Sequence, residues 1–343
     1  IRAPAWNSEG SEIIFTSIGA ESVWWLWRVH FPAGGAPERL ISLGERSLHP
    51  AIARASHRLV YARYTDRTNT CRLELPTQGG KASSPVRILS STREDINPQY
   101  SPDGKHIAFH STRSGWSEVW VSDSDGSNAH QLTFLRAPMT GSPRWSPDSN
   151  RLVFDSNVAG RFALYTISAD GGKPRRLTTG EADDAVASWS RDGRSIYFGS
   201  DRSGQWQVWK MPANGGTAVA VTRHGGYVAH ESPDGRFVYY SKGRGQASLW
   251  RVPAEGGEEQ QLLESVGWQS FAVVPDGIFF VPGESSDTRS IQFFRFRTGT
   301  LTVIAPIEGI PNQGLSVSPD GHYILYSQTD QQSSELMLLE NFR

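Results

Sequence analysis

The chain has 343 residues with 34 lysines and arginines against 35 aspartates and glutamates, a net charge of -1 with histidine neutral. That balance, without any run of five or six like charges, excludes a free-standing nucleic-acid or anionic-membrane binder, and apolar stretches of five or six residues fall far short of the ~20 that a spanning helix needs. Cys71 is the one cysteine, so an internal disulfide and a cysteine-based metal cluster are both excluded, and the thiol reads as a small buried hydrophobe.

In chain order the sequence repeats one pattern eight times: a strand ending near Trp/Tyr-Ser-Pro-Asp-Gly, a strand closed by an aromatic, a third strand, and often Leu-Thr. The units cover approximately 1-46, 47-93, 94-137, 138-181, 182-224, 225-265, 266-308 and 309-343. Their turn positions are Gly10, the degenerate Ser56, Gly104, Ser149, Gly193, Gly235, Gly277 and Gly321, spaced 42 to 48 residues apart. Four short strands at such a period predict propeller blades. The expected fold is therefore all-β: one domain over 1-343, an eight-bladed β-propeller of four-stranded antiparallel blades. The last blade ends after its third strand, so its outer strand is missing and a closing strand is expected upstream of Ile1. A chain that starts at Ile1 reads as a fragment or processed domain whose compartment the residues do not specify.

Each residue of the turn has a mechanical reason. Proline presets φ at the second turn position, aspartate bonds amides two residues on, and glycine permits φ > 0. Asp103, Gly104, Asp148, Asp192, Gly193, Asp234, Gly235, Asp276, Gly277, Asp320 and Gly321 are accordingly read as turn formers. Trp6, Tyr100, Trp145 and Trp189 before the turns, and Trp27, Trp120, Trp209 and Trp250 on third strands, read as packing between blades. A second turn signal, as at Asp125-Gly126 and Glu255-Gly256-Gly257, predicts the hairpin to the outermost strand.

These residues resemble the WD40-like repeats of TolB-type β-propellers. The resemblance is carried by the Ser-Pro-Asp-Gly turn, by Phe109-His110-Ser111, Phe154-Asp155-Ser156 and Phe198-Gly199-Ser200 after it, by Arg113-Ser114-Gly115 and Arg202-Ser203-Gly204, and by the closing Leu-Thr. It implies a propeller over the whole chain, with six blades in TolB itself and eight in dipeptidyl-peptidase-like enzymes. The closing residues 335-343 also resemble the tail of large bacterial proteins in which such a propeller follows a winged-helix regulator or a Ser/Thr kinase domain.

Chemistry is sparse. Gly-x-Ser-x-Gly, His-Glu-x-x-His, phosphate-loop and EF-hand patterns are all missing from the sequence. His49 and His230 lie beside innermost strands, where some TolB-related lyases hold a metal with several histidines, yet two on distant blades fall short of the three or four converging ligands a metal needs. Segments entering innermost strands gather at one mouth of a propeller channel, where loops on a rigid scaffold carry recognition. The candidate ligand or partner site there is His49, Asp95, Asn97, Asp183, Asp184, Tyr227, His230, Trp268 and Gln313, and its acids, amides and exposed-looking aromatics suit a peptide, an amine or a sugar. The expected function is a non-catalytic, monomeric sensing or protein-interaction propeller of a larger bacterial protein, without cofactor, metal, nucleic-acid binding or membrane insertion. The alternatives are the accessory propeller of a serine peptidase and a metal-dependent carbohydrate lyase.

Overall fold

The repeat's turn is built by three residues acting on one another. In a computed structural model, which describes residues 2–18, 24–32, 34–53, 57–76, 82–243, 247–283 and 289–342, Ser101, Ser146, Ser190, Ser232 and Ser318 each donate a hydroxyl to the aspartate two residues on, at 2.5–2.7 Å. The same aspartate oxygen accepts the N–H two residues further along, from Lys105, Asn150, Arg194, Arg236 and His322. The serine oxygen accepts the N–H that opens the second strand. The residue after the aspartate sits at φ +61 to +74, the region that favours glycine. These hydrogen bonds, the serine hydroxyl first, hold the Asp148, Asp192 and Asp320 carboxyls below their ordinary range. Asp276-Gly277 differs. Val274 pairs with Gly277 across a two-residue turn, and a Cβ on Gly277 would collide with the Phe294 carbonyl and the Phe293 ring.

The Leu-Thr element has its own task. Thr133, Thr178 and Thr222 accept the N–H of Val119, Leu164 and Val208 through their hydroxyls, satisfying amides on the third strand that the short outer strand does not reach.

Where eight repeats predict eight sheets, the described residues form seven. The chain divides into two compact units, Thr68–Asp330 and the pair Ile1–Arg67 with Gln331–Arg343. Five blades of the larger unit each come from one repeat. Their innermost strands are Asp95–Tyr100, Thr140–Trp145, Asp184–Trp189, Ala229–Glu231 and Phe271–Val274, and each sheet continues outward in chain order. The sixth blade is composite. Strand Ile310–Val317 pairs with the first part of Tyr323–Leu339, which neighbours Arg58–Glu74, which pairs with Val86–Leu89. The hydroxyls of Thr68 and Thr329 meet at 2.9 Å, and Asp330 accepts from Asn69 at 2.6 Å and forms an ion pair with Arg87 at 2.7 Å. The outer strands missing from the last repeat therefore come from residues 68–89 of the same chain, not from a segment upstream of Ile1.

The ring closes. Each innermost strand neighbours the next, and Ile310–Val317 neighbours Asp95–Tyr100. An apolar cluster fills every junction: Val119 with Phe154, Val153 with Phe198, Val208 with Tyr240, Leu249 with Phe280, Ile291 with Tyr326, and Leu325 with Phe109. Trp145 and Trp189 sit in these junctions as expected, and each indole N–H bonds a carbonyl of the preceding blade, Gln99 O at 3.2 Å and Arg144 O at 3.1 Å. The Cys71 thiol is buried in the same core and burial pushes it up to about 11.

The smaller unit has a four-stranded sheet, Arg2–Trp6, Glu12–Ile18, Trp24–His30 and Glu38–Arg39, together with Ser47–Ala53 and the remaining parts of the two long strands, which belong to the sheet already counted as the composite one. Ile14, Leu26, Leu43, Leu59, Tyr61 and Phe342 form its core. Trp6, expected in a blade junction, is 38 % exposed and meets Phe31 edge-on instead. The hairpin of the second repeat, at Ser56, lies outside the described residues. No helix of the described residues is long and apolar enough to cross a membrane.

Candidate functional site

Along each innermost strand the side chains alternate. In the first three blades the aromatic before the turn, Tyr100, Trp145 or Trp189, enters the blade junction, so its predecessor faces the axis of the ring; Glu231, Val273 and Val317 hold the same position in the other three. The six predecessors, Gln99, Arg144, Ser188, His230, Ala272 and Ser316, come one from each blade and line a recess of about 880 Å³. Its rim is the turn end of the blades, with Pro102, Pro147, Pro233, Pro275 and Pro319.

The opposite end is crossed by a side chain. Gln269, 3 % exposed at φ +52 before the innermost strand of the fifth blade, donates from Nε2 to Ser142 Oγ of the second blade at 3.2 Å. Those two blades stand three steps apart in a ring of six, so the contact spans the axis. Beneath it Asp155 accepts the Val186 N–H at 2.7 Å and a bond from Ser142. Burial pushes its carboxyl up to about 6 against these bonds and the attraction of Arg144. Arg144 is 6 % exposed, and burial draws it down to about 10, opposed by Asp155. His230 packs edge-on against Phe271 at 4.9 Å, and its buried Nε2 has no hydrogen bond among the described residues. Burial, then the Arg144 charge, pushes the imidazole down to about 3, so it is neutral around pH 7.

Of the nine residues expected at a ligand site, only His230 lines this recess. Asp95 is wholly buried, accepting from Ser111 at 2.7 Å and from Arg113 Nε at 3.2 Å, with Arg113 Nη2 paired to it at 2.7 Å, while the Arg113 guanidinium lies over Phe109 and Trp120. Asp184 repeats the arrangement with Arg202 at 2.8 Å, over Phe198 and Trp209. In the fourth blade Lys242 fills the place, 3.5 Å over Trp250 and bonded to Glu259 at 2.8 Å. Trp120, Trp209 and Trp250 are thus shelves for cations, and Asp95, Asp184 and Glu259 are the pegs that hold them. Asp183 accepts the Phe162 N–H and an Arg161 bond at the inlet end. Tyr227 is buried, not exposed, between Trp206 at 4.3 Å and Trp268 at 4.8 Å. Asn97 is buried at φ +55 and Gln313 half-buried at the same inlet end. His49 is exposed beside Tyr64 in the smaller unit. Among the described residues no three His, Cys, Asp or Glu side chains are grouped to hold a metal.

Sequence reading missed Gln99, Arg144, Ser188 and Gln269. A signal for the first three exists in the repeat, since each immediately precedes the aromatic of the turn.

Residues 135–291 match the TolB beta propeller domain, and residues 44–193 match the Dipeptidyl peptidase IV (DPP IV) N-terminal region. No curated protein matches the sequence. Among solved structures the fold is similar to a TolB candidate from Agrobacterium tumefaciens, at 21 % identity and TM-score 0.63 over 78 % of this chain and 99 % of that one. TolB from Acinetobacter baumannii aligns at 16 % identity and TM-score 0.54, over 94 % of this chain and 80 % of its own. A puromycin-hydrolyzing peptidase of Mycobacterium tuberculosis aligns at 16 % identity and TM-score 0.51, over 88 % of this chain and 52 % of its own length.

Proposed function

We propose that the TolB-type β-propeller of this chain acts as a non-catalytic binding module, taking a small polar ligand or a short protein segment into the channel from the turn end. It would report that occupancy to the rest of a larger bacterial protein. One observation carries the reading: a preformed recess of about 880 Å³, with one side chain from each of six blades and a closed inlet. Ligand sites have such volumes and such a small set of fixed polar groups. The proposed site keeps His230 from the sequence expectation and adds Gln99, Arg144 and Ser188. Asp95, Asp184, Tyr227 and Trp268 pass to structural work.

The test is a thermal-shift screen of amino acids, short peptides and sugars on the chain and on Ala272→Trp, which fills the channel. A ligand at 100-fold over its Kd adds ~2.7 kcal/mol to the native state. Stabilisation of the chain that Ala272→Trp abolishes supports the module. Equal stabilisation of both proteins contradicts it.

The match to the DPP IV N-terminal region favours a second reading, an accessory propeller of a serine peptidase. A fluorophosphonate probe that labels the full-length protein supports it, and absence of labelling overturns it.

A further inference from the structure

Arg144 is the cation of the channel tier, and its circumstances are unusual. A guanidinium has five N–H donors and no acceptor. Here its side-chain hydrogen bond among the described residues runs from Nη1 to its neighbour's carbonyl, Pro143 O, at 3.0 Å. Asp155 attracts it, yet the hydrogen bonds that carboxylate accepts come from the Val186 N–H and Ser142, and none from Arg144 is formed among the described residues. The backbone of Arg144 is pinned, because its carbonyl takes the Trp189 indole N–H. A buried charge with most of its donors unspent is costly unless something pairs with it, and the open side of this residue is the recess.

The neighbours narrow what that partner is. His230, near enough to Arg144 to feel its charge, presents a buried Nε2 that has no hydrogen bond among the described residues, and its ring packs against Phe271. The rest of the tier is Gln99, Ser188, Ala272 and Ser316, all uncharged. The wider lining sets Arg191 against Glu231 and Asp320, and Asp155 stands near Arg144, so the recess has no surplus of positive charge to compensate a dianion. A planar fork of N–H donors also matches the two oxygens of a carboxylate.

Resting on the channel-binding reading above, we propose that the ring recognises its ligand by a carboxylate, held in the fork of Arg144, while His230 hydrogen-bonds the group beside it. Imidazole neutrality fits this division: His230 supplies a hydrogen bond and Arg144 the charge. The occupant is then a carboxylic acid or the carboxylate-bearing end of a peptide, with an uncharged neighbouring group.

The experiment is isothermal titration calorimetry of the chain with N-acetylglycine, its neutral amide N-acetylglycinamide, and inorganic phosphate, repeated on Arg144→Lys, Arg144→Gln and Ala272→Trp. The proposal expects saturable binding of N-acetylglycine and binding of the amide weaker by about tenfold or more, the worth of a hydrogen bond to a charged group. Phosphate should bind more weakly than N-acetylglycine, Arg144→Lys should lose about tenfold by keeping charge without the fork, and Arg144→Gln should lose binding. The acid and amide comparison on the unaltered chain decides the matter even where Arg144→Gln does not fold. No binding of N-acetylglycine, equal affinity for acid and amide, tighter binding of phosphate, or binding indifferent to both Arg144 variants overturns the proposal. Acid and amide binding equally, but only without Ala272→Trp, defeats the carboxylate and leaves the channel site standing. Binding that survives Ala272→Trp unchanged defeats the channel site itself.

Discussion

Replacing Asp95 by alanine removes the peg beneath the Arg113 cation in the first blade. The Asp95 side chain is 0 % exposed and the Arg113 side chain 22 %. Deleting one partner of a wholly buried ion pair costs about 3–5 kcal/mol, because the other charge is left alone. Arg113 keeps a window to water and its place over Phe109 and Trp120, which reduces the expected loss to about 2–3 kcal/mol. In a chain of 343 residues each kcal/mol moves Tm by about 1–2 °C, so Asp95→Ala should melt about 2–6 °C lower by differential scanning calorimetry, with a matching fall in the guanidinium midpoint. Asp95→Asn, which keeps an acceptor for Ser111, should fall between. Adding Arg113→Met to Asp95→Asn should recover part of the loss, since the stranded charge goes with it. A melting temperature for Asp95→Ala within about 1 °C of the parent would refute the clamp and return Asp95 to the list of ligand residues.

Two further outcomes follow from burial. Cys71, pushed up to about 11 within the core, should react with a thiol reagent only after denaturation; stoichiometric labelling of the native chain would contradict its placement. The channel groups should oppose each other in acid. His230 is held near 3, below its ordinary 6.5, so its part of the stability is lost as pH falls below 6.5. Asp155 is held near 6, above its ordinary 3.8, so its strain is relieved as pH falls through 6. Melting curves between neutral pH and about 4 should therefore gain stability in acid for His230→Asn relative to the parent, and lose it faster for Asp155→Asn. Superimposable profiles of all three proteins would contradict both assignments.

The blades were legible because the turn is local chemistry, and its serine-to-aspartate hydrogen bond recurs at Ser101, Ser146, Ser190, Ser232 and Ser318 even where Ser149 replaces the glycine or Arg191 the proline. The seventh sheet was not. Residues 61–74 and 323–339 carry no glycine or proline to stop a strand, so each runs for 17 residues through what the period divides into separate strands. Their pairing joins positions more than 250 residues apart, as Thr68 and Thr329 do, and no local pattern encodes that. The site was half legible for a similar reason. His230 was found because it lies beside an innermost strand; the column that faces the axis needed the strand alternation seen in the structure. Which end of the channel is open depends on Gln269 reaching Ser142 across 127 positions, and Asp95 and Asp184 resemble ligand residues until the arginines 18 residues later are seen to occupy them.

The central claim, occupancy of the channel at the His230 tier, is tested most directly by histidine-detected nitrogen-15 spectra of the labelled chain. The strongest stabiliser from the thermal-shift screen is titrated in to saturation. Among the nine imidazoles, His230 should shift through its Nε2 as the ligand fills the recess, while exposed His49 and His130 stay where they are. Saturation with His230 unmoved, and any shifts confined to surface histidines, would contradict the account.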